Sequence, residues 1–340
     1  MSREAERFAD WAEKHAGLAD ARIVRRLTGG NANVTSLVET AEGPVVLRHP
    51  PADAVSDLAS AGIAREYRFL EALAGKAPVA EPLAFCEDRD IIGAPFSLTR
   101  FVEGHAITDS LPDEIDPSAS SISALGEALI DALATVHDLD PARCGIEAGG
   151  GAKTFVSRQI ARWREVRQQA AVRDLPGIER LGRWLEDNAP EPEALRIVHC
   201  DYHLDNVLIA PGEARVNAIL DWEMASVADP LVDLGLVTAL WNRDESQPLG
   251  FAFVQRVSNS PDVCSGEELA RRWAQATGLS VRRLAYFQAF ALWRLAAIVE
   301  GAFVLLRQGK VDGEYERGLE TDVPALLEAA ERFARSEEGR

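Results

Sequence analysis

Residues 197–208 read Ile197-Val198-His199-Cys200-Asp201-Tyr202-His203-Leu204-Asp205-Asn206-Val207-Leu208. Apolar strand formers bracket a polar centre, a pattern that predicts two short strands joined by a loop. The polar centre places His199, Asp201 and Asn206 in the order H-x-D-x-x-x-x-N. Downstream, Ile219-Leu220-Asp221-Trp222-Glu223 sets a second carboxylate at the end of another short strand. Phosphoryl transfer needs these residue types. One carboxylate must orient the attacking hydroxyl, while an amide and a second carboxylate hold Mg²⁺ against the triphosphate. Asp201 is therefore the candidate catalytic base, and Asn206 and Asp221 are the candidate metal ligands. A turn rich in Asp, His and Asn can instead bond its own backbone. H-x-D alone would favour that reading; the Asn at its offset and the second strand-end Asp reverse it.

The surrounding chain fits a protein of two lobes. At 340 residues it exceeds the length at which one core keeps growing. Hydrophobic residues make up 47% and charged residues 26%, the balance of an ordinary soluble domain. There is no uninterrupted run of about 18 apolar residues and no apolar signal core after the charged N-terminus, so no membrane partner and a cytoplasmic location are expected. A net charge of −18 opposes nucleic-acid binding and suits either solubility or a cationic substrate. Cys86, Cys144, Cys200 and Cys264 show no CxxC spacing, which points to neither a zinc site nor a disulfide framework.

Strand patterns at Ala21 to Arg26, Val34 to Glu39, Val45 to Arg48 and Pro95 to Val102 dominate the first third, with a helical spacing from Ile63 to Ala74. Beyond Glu103-Gly104 the pattern turns helical, over Ile122 to His137, Ile178 to Leu185 and Leu284 to Leu306. The exception is a β-rich patch at Arg196 to Val198, Val207 to Ile209 and Val216 to Leu220.

The loop and metal segments resemble those of the aminoglycoside phosphotransferase superfamily, in particular the branch whose phosphotransferase domain is fused to some acyl-CoA dehydrogenases. Supporting segments run along the whole chain. They include Leu27-Thr28-Gly29-Gly30-Asn31-Ala32-Asn33, Val45 to Pro51, Leu133 to Pro141, Asp221-Trp222-Glu223 and Ala228 to Gly235. The resemblance implies an α+β, two-lobed protein-kinase-like fold. Residues 1–103 would form a small antiparallel-sheet lobe that binds nucleotide, and residues 104–340 a larger, mainly helical lobe for catalysis and the acceptor. It further implies ATP (or GTP) with Mg²⁺, and transfer of the γ-phosphoryl group to a hydroxyl of a small molecule, aminoglycoside-like or a hydroxylated metabolite.

Within that resemblance, Gly29, Gly30, Asn31 and Asn33 form the nucleotide loop, where glycines let backbone N–H groups approach phosphates. Phe101, Val102 and Glu103 form a hinge facing an adenine. The chain departs from protein kinases at the third strand. No lysine lies between His15 and Gly75, and Arg48 stands there instead, with Glu66 on the next helix as its partner. A nucleotide-binding pseudokinase or partner-binding module is the alternative this departure leaves open. Cys200 stands where the family often has glycine. His199 is expected to fix the loop, while His203 and Glu223 are structural or substrate-adjacent. Asp229 and Asp233 are expected to anchor loops, and Arg158, Arg162, Arg164 and Arg167 are a candidate basic patch on a helix.

Overall fold

The computed structural model describes residues 3–27, 33–51, 57–147, 149, 154–243, 254–260 and 262–339. Gly29, Gly30 and Asn31 lie outside the described residues. In chain order the first elements are α1 (Arg3–Ala16), β1 (Arg22–Arg26), β2 (Val34–Glu39), β3 (Val45–His49), α2 (Asp57–Leu73), β4 (Pro82–Cys86), α3 (Arg89–Ile92) and β5 (Phe96–Arg100). Then come α4 (Ala119–Asp138), α5 (Phe155–Gln169), α6 (Pro176–Asp187), β6 (Arg196–Val198), β7 (Val207–Ile209), β8 (Val216–Ile219) and β9 (Ser226–Ala228). The chain ends in α7 (Leu231–Leu240), α8 (Gly266–Thr277), α9 (Leu284–Arg307) and α10 (Glu314–Glu338).

Packing divides the chain into two compact units. One comprises Met1–Ala106, Cys144–Ile146 and Asn206–Ala225; the other comprises Ile107–Arg143, Glu147–Asp205 and Ser226–Arg340. The expected boundary at residue 103 does not describe the segment from Asn206 to Ala225, which packs with the N-terminal residues. Its backbone explains why. His105 and Ile209 exchange two hydrogen bonds of 2.9 Å, Ile219 N–H donates to Pro78 O at 2.8 Å, and Asn217 Nδ2 donates to Glu103 O at 2.8 Å. Gly104 permits this approach, since a Cβ there would lie 2.9 Å from both Ile209 O and Leu208 Cβ.

The first unit is built on an antiparallel five-stranded sheet in the order β1-β2-β3-β5-β4. Alternation directs Val38, Val45, Leu47, Phe96 and Leu98 to one face, where Phe8 and Ala12 of α1 complete the core. Phe8 and Trp11 both meet Phe96 edge-on, at 5.8 and 4.7 Å between ring centroids. Both sheet edges are blunted. β1 is exposed and carries Arg22, Arg25 and Arg26, and β4 begins with Pro82.

The second unit is helical. All ten residues of α7 are buried, the mark of a helix apolar on every side and surrounded by others. α9 packs along it and against α10. Indole and phenol groups that enter this core find backbone acceptors on α6: Trp293 Nε1 donates to Ile178 O at 2.9 Å and Tyr286 OH to Leu185 O at 2.7 Å. α4 and α9 are long and apolar enough, by length and composition, to cross a membrane, which a search for uninterrupted apolar runs misses. Inside this unit, 50% and 67% of their most apolar windows are buried.

α7 and α9 cross at Gly235, where an added Cβ would lie 2.6 Å from the carbonyl carbon of Phe287. Backbone cannot yield as a side-chain tip can. Gly235→Ala is therefore expected to destabilise the protein by about 1–3 kcal/mol or more, measured by urea unfolding.

Candidate active site

The site residues fall into two groups, one in each unit. In the first unit, β7 and β8 pair as a hairpin with Val207 opposite Ile219, and Leu220 N–H donates to Asn206 O at 2.8 Å. This register sets Asn206 and Asp221 at the same end of one hairpin. Asp221 adopts φ 64°, a left-handed conformation that Asp tolerates better than most residues. Directly after it a single 3₁₀ turn, Trp222–Met224, packs on α2, with Trp222 stacked on Phe69.

Arg48 of β3 binds both neighbouring acids. Its Nη2 donates to Asp221 Oδ1 at 2.6 Å, and its Nε lies 3.1 Å from Glu66 Oε2 on α2. Alternation along β3 buries Val45 and Leu47 in the core and turns Arg48 to the other face. Burial works against its charge, yet Glu66, Asp221 and Glu223 outweigh that and raise its pKa above the ordinary guanidinium value. Burial pushes the Glu66 carboxyl up to about 7; Arg48 opposes this, and Asp221 and Glu223 add to it. Glu223 accepts from Asn33 Nδ2 at 2.7 Å, and its backbone O accepts from Arg65 Nη1 at 3.1 Å. Thus Glu66, Asp221 and Glu223 are gathered around Arg48, with Asn33 bound to Glu223. In the hinge, Phe101 N–H donates to Pro44 O at 3.2 Å and Glu103 O accepts from Asn217, so two of its backbone groups are engaged within the unit.

In the second unit, β6 pairs with β9 and leads into His199. Cys200 takes φ 71°, the left-handed conformation that glycine adopts freely and other residues at a cost of about 1–2 kcal/mol. Three bonds hold it there. The Asp233 carboxylate accepts the N–H groups of His199 and Cys200, both at 2.7 Å, and Arg294 Nη1 donates to Cys200 O at 2.6 Å. Asp233 is itself oriented through a chain of buried groups. Trp273 Nε1 can only donate, so its 3.0 Å bond makes His137 Nδ1 an acceptor. His137 Nε2 then carries the proton and donates to Asp233 at 3.2 Å. His199 Nδ1 accepts the Asp201 N–H at 3.2 Å. Asp229 Oδ1 accepts from Leu231 N–H at the start of α7.

The carboxylate of Asp201 keeps 35% of its surface exposed, enough to meet a substrate. Burial would raise its pKa, but His203 above all, with His199 and Arg294, holds it down at about 2. His203 lies between Asp201, 3.7 Å from its Nε2, and Asp205, 3.4 Å from its Nδ1. Burial opposes its charge, and the two carboxylates outweigh burial and raise it to about 10. Its stabilising contribution is thus complete below 6.5 and lost as pH rises through about 10.

The metal donors offered are an amide oxygen and carboxylates, the hard ligands Mg²⁺ takes. Among the described residues no group of three or more His, Cys, Asp or Glu forms a cage. Asp205, Gln255 and the Trp273–His137 pair escaped the sequence reading. Gln255 Oε1 accepts Leu204 N–H at 2.9 Å from far along the chain, a contact without a local signal, whereas Asp205 was legible from its alternation with Asp201 and His203. The candidate basic patch is partly neutralised, because Arg164 binds Glu179 and Glu186.

Residues 23–294 match the family model of the phosphotransferase enzyme family, APH. The chain belongs to this family. Acyl-CoA dehydrogenase family member 11 of Gallus gallus is 30% identical over 315 residues, covering 91% of this chain. The chain spans 40% of that relative's length. A candidate aminoglycoside phosphotransferase of Ralstonia eutropha jmp134 has a structure similar at a TM-score of 0.80 and 27% identity, covering 97% of this chain and 98% of its own. A thermostable mutant of aminoglycoside phosphotransferase APH(4)-Ia, in ternary complex with AMP-PNP and hygromycin B, shares the fold at a TM-score of 0.59 and 16% identity, covering 98% of this chain and 99% of its own. The fold is the two-lobed, kinase-like fold of these proteins, and family and neighbours together support small-molecule phosphotransferase activity.

The bonds around Cys200 separate backbone strain from side-chain chemistry. Cys200→Gly is expected to fold within about 1 kcal/mol of the parent, because relieved strain offsets added chain entropy. Cys200→Val, β-branched at positive φ, should lose about 2 kcal/mol or more in the same denaturant titration.

Proposed function

We propose that this chain is an ATP-dependent kinase for a hydroxylated small molecule, with GTP as the alternative donor. The observation that carries the reading is Arg48, which is bound to Glu66 and Asp221 together. A guanidinium can bridge carboxylate and phosphate, so Arg48 takes the role lysine has in protein kinases, gripping the nucleotide phosphates while Glu66 orients it. Asn206 and Asp221 would hold Mg²⁺, which when bound supplies charge neutralisation for the phosphates. Asn33, with Gly29, Gly30 and Asn31, would approach the phosphates, and Phe101 to Glu103 the base. Asp201 orients the acceptor hydroxyl. The AMP-PNP bound to the APH(4)-Ia neighbour supports an adenine nucleotide as donor.

For the acceptor, we favour a hydroxylated acyl compound over an aminoglycoside. The support is the 30% identity to acyl-CoA dehydrogenase family member 11, whose name concerns acyl thioesters. A net charge of −18 keeps cationic aminoglycosides as the second acceptor class. The rival reading, a pseudokinase, draws on the missing third-strand lysine. A pure binding module, however, has no use for Asp201, Asn206 and Asp221 together.

Thermal unfolding with ATP, GTP and non-hydrolysable analogues, with and without Mg²⁺, tests the donor side. A shift that requires Mg²⁺ and vanishes in Asp221→Ala is expected; no shift with any nucleotide would leave a partner-binding module. Parallel panels of hydroxyacyl-CoA compounds and aminoglycosides test the acceptor. Transfer to the first class, with kcat lowered about 100-fold or more in Asp201→Ala, is expected, and transfer to neither class would sink both assignments.

A further inference from the structure

Three acidic and basic side chains alternate along the catalytic loop, at Asp201, His203 and Asp205. The loop backbone on either side of them is pinned. Asp233 holds the N–H groups of His199 and Cys200, and Gln255 holds that of Leu204. Between these pins, His203 faces Asp201 Oδ1 through Nε2 at 3.7 Å and Asp205 Oδ1 through Nδ1 at 3.4 Å. Exposure falls inward from 35% at Asp201 to 18% at Asp205 and 16% at His203, so the outer carboxylate is the one a substrate can reach. The other groups facing Asp201 are His199 in the same loop and Arg294 of α9.

A neutral imidazole has one N–H and could serve one carboxylate; an imidazolium has two and serves both. Two carboxylates sharing a site would otherwise repel, and one would take a proton. We propose that Asp205 and His203 form a positioning relay in which His203, held as a fixed imidazolium by Asp205, aims the Asp201 carboxylate at the acceptor hydroxyl. The proposal rests on the phosphotransferase reading of Asp201 and adds the residues that make that carboxylate work.

The relay has a consequence for the chemistry. Asp201, facing His203 at 3.7 Å and held low by it, is a weak base, suited to accept a hydrogen bond from the hydroxyl and poorly suited to ionise it in advance. The acceptor oxygen forms its bond to the γ-phosphorus while the bond from that phosphorus to the β,γ-bridging oxygen breaks. The hydroxyl proton passes to Asp201 late, as the new bond forms, and then to water. This order suits a loose transition state, which needs little nucleophile activation.

The test compares the parent protein with Asp205→Asn, Asp205→Glu and His203→Gln. Nitrogen NMR of ¹⁵N-histidine-labelled protein, with His203→Gln identifying the resonance, reads the protonation midpoint and needs no acceptor. The parent midpoint is expected near 10, because Asp201 and Asp205 outweigh the burial that opposes the charge. Asp205→Asn should lower it by about one pH unit or more, and Asp205→Glu should restore it. On the acceptor identified by the hydroxyacyl-CoA panel, the alkaline fall in kcat should move down with that midpoint in Asp205→Asn, with KM for MgATP within about twofold of the parent. His203→Gln should lower kcat about tenfold or more and abolish the alkaline fall. A His203 midpoint near its ordinary value of 6.5 in the parent, or one unmoved by Asp205→Asn, would overturn the relay. So would a changed KM for MgATP with an unmoved kcat profile, which would make His203 a substrate contact. Full turnover in Asp201→Ala would instead overturn the role of Asp201 itself.

Discussion

The loop that carries Asp201 depends on one carboxylate buried inside a largely apolar helix. Asp233 is fully buried on α7, a helix whose other nine residues are also buried. Burying a charge there would be costly without partners. Asp233 has three, and two of them are backbone N–H groups of the loop that carries Asp201. The cost of placing the carboxylate and the strain at Cys200 are thus met by one set of bonds. Charge-assisted bonds to backbone leave the loop a single path, while the Trp273–His137 chain leaves the carboxylate a single orientation.

The first unit solves the opposite problem. There, three carboxylates share a small volume around Arg48, whose charge offsets their mutual repulsion. Glu66 shows the balance, because burial and its acidic neighbours push it to about 7 in spite of Arg48. A guanidinium suits this place because it stays charged under burial and presents several donors in one plane. A lysine would offer one charge centre to the same three acids.

Much of this was legible in the sequence. The strands at Val34–Glu39 and Arg196–Val198 and the start of α9 coincide with their patterns, because alternation and helical spacing report which face is buried. The motif residues Asp201, Asn206 and Asp221 stand out in the sequence because phosphoryl transfer, the proposed chemistry, demands particular residue types. β4 was not legible: it starts at a proline and is five residues long at a sheet edge. Nor was the packing of Asn206–Ala225 with the N-terminal residues, which follows from backbone pairing with His105 and Pro78 rather than from composition. Gln255 and Trp273 reach the loop from 51 residues away and through His137 respectively, and no local pattern records such contacts. Cys200 stood out as a departure from glycine, and its φ of 71° shows that the backbone path of a glycine is kept with a side chain present.

On the proposed reading, Arg48 does the work of the absent third-strand lysine and grips the nucleotide phosphates. Calorimetric titration of MgATP into the parent, Arg48→Lys and Arg48→Met tests it most directly. Losing a charge-assisted contact to phosphate should weaken binding roughly 10- to 100-fold in Arg48→Met, and Arg48→Lys should recover part of that loss. Arg48→Met that binds MgATP as tightly as the parent would contradict the claim and remove Arg48 from the nucleotide site.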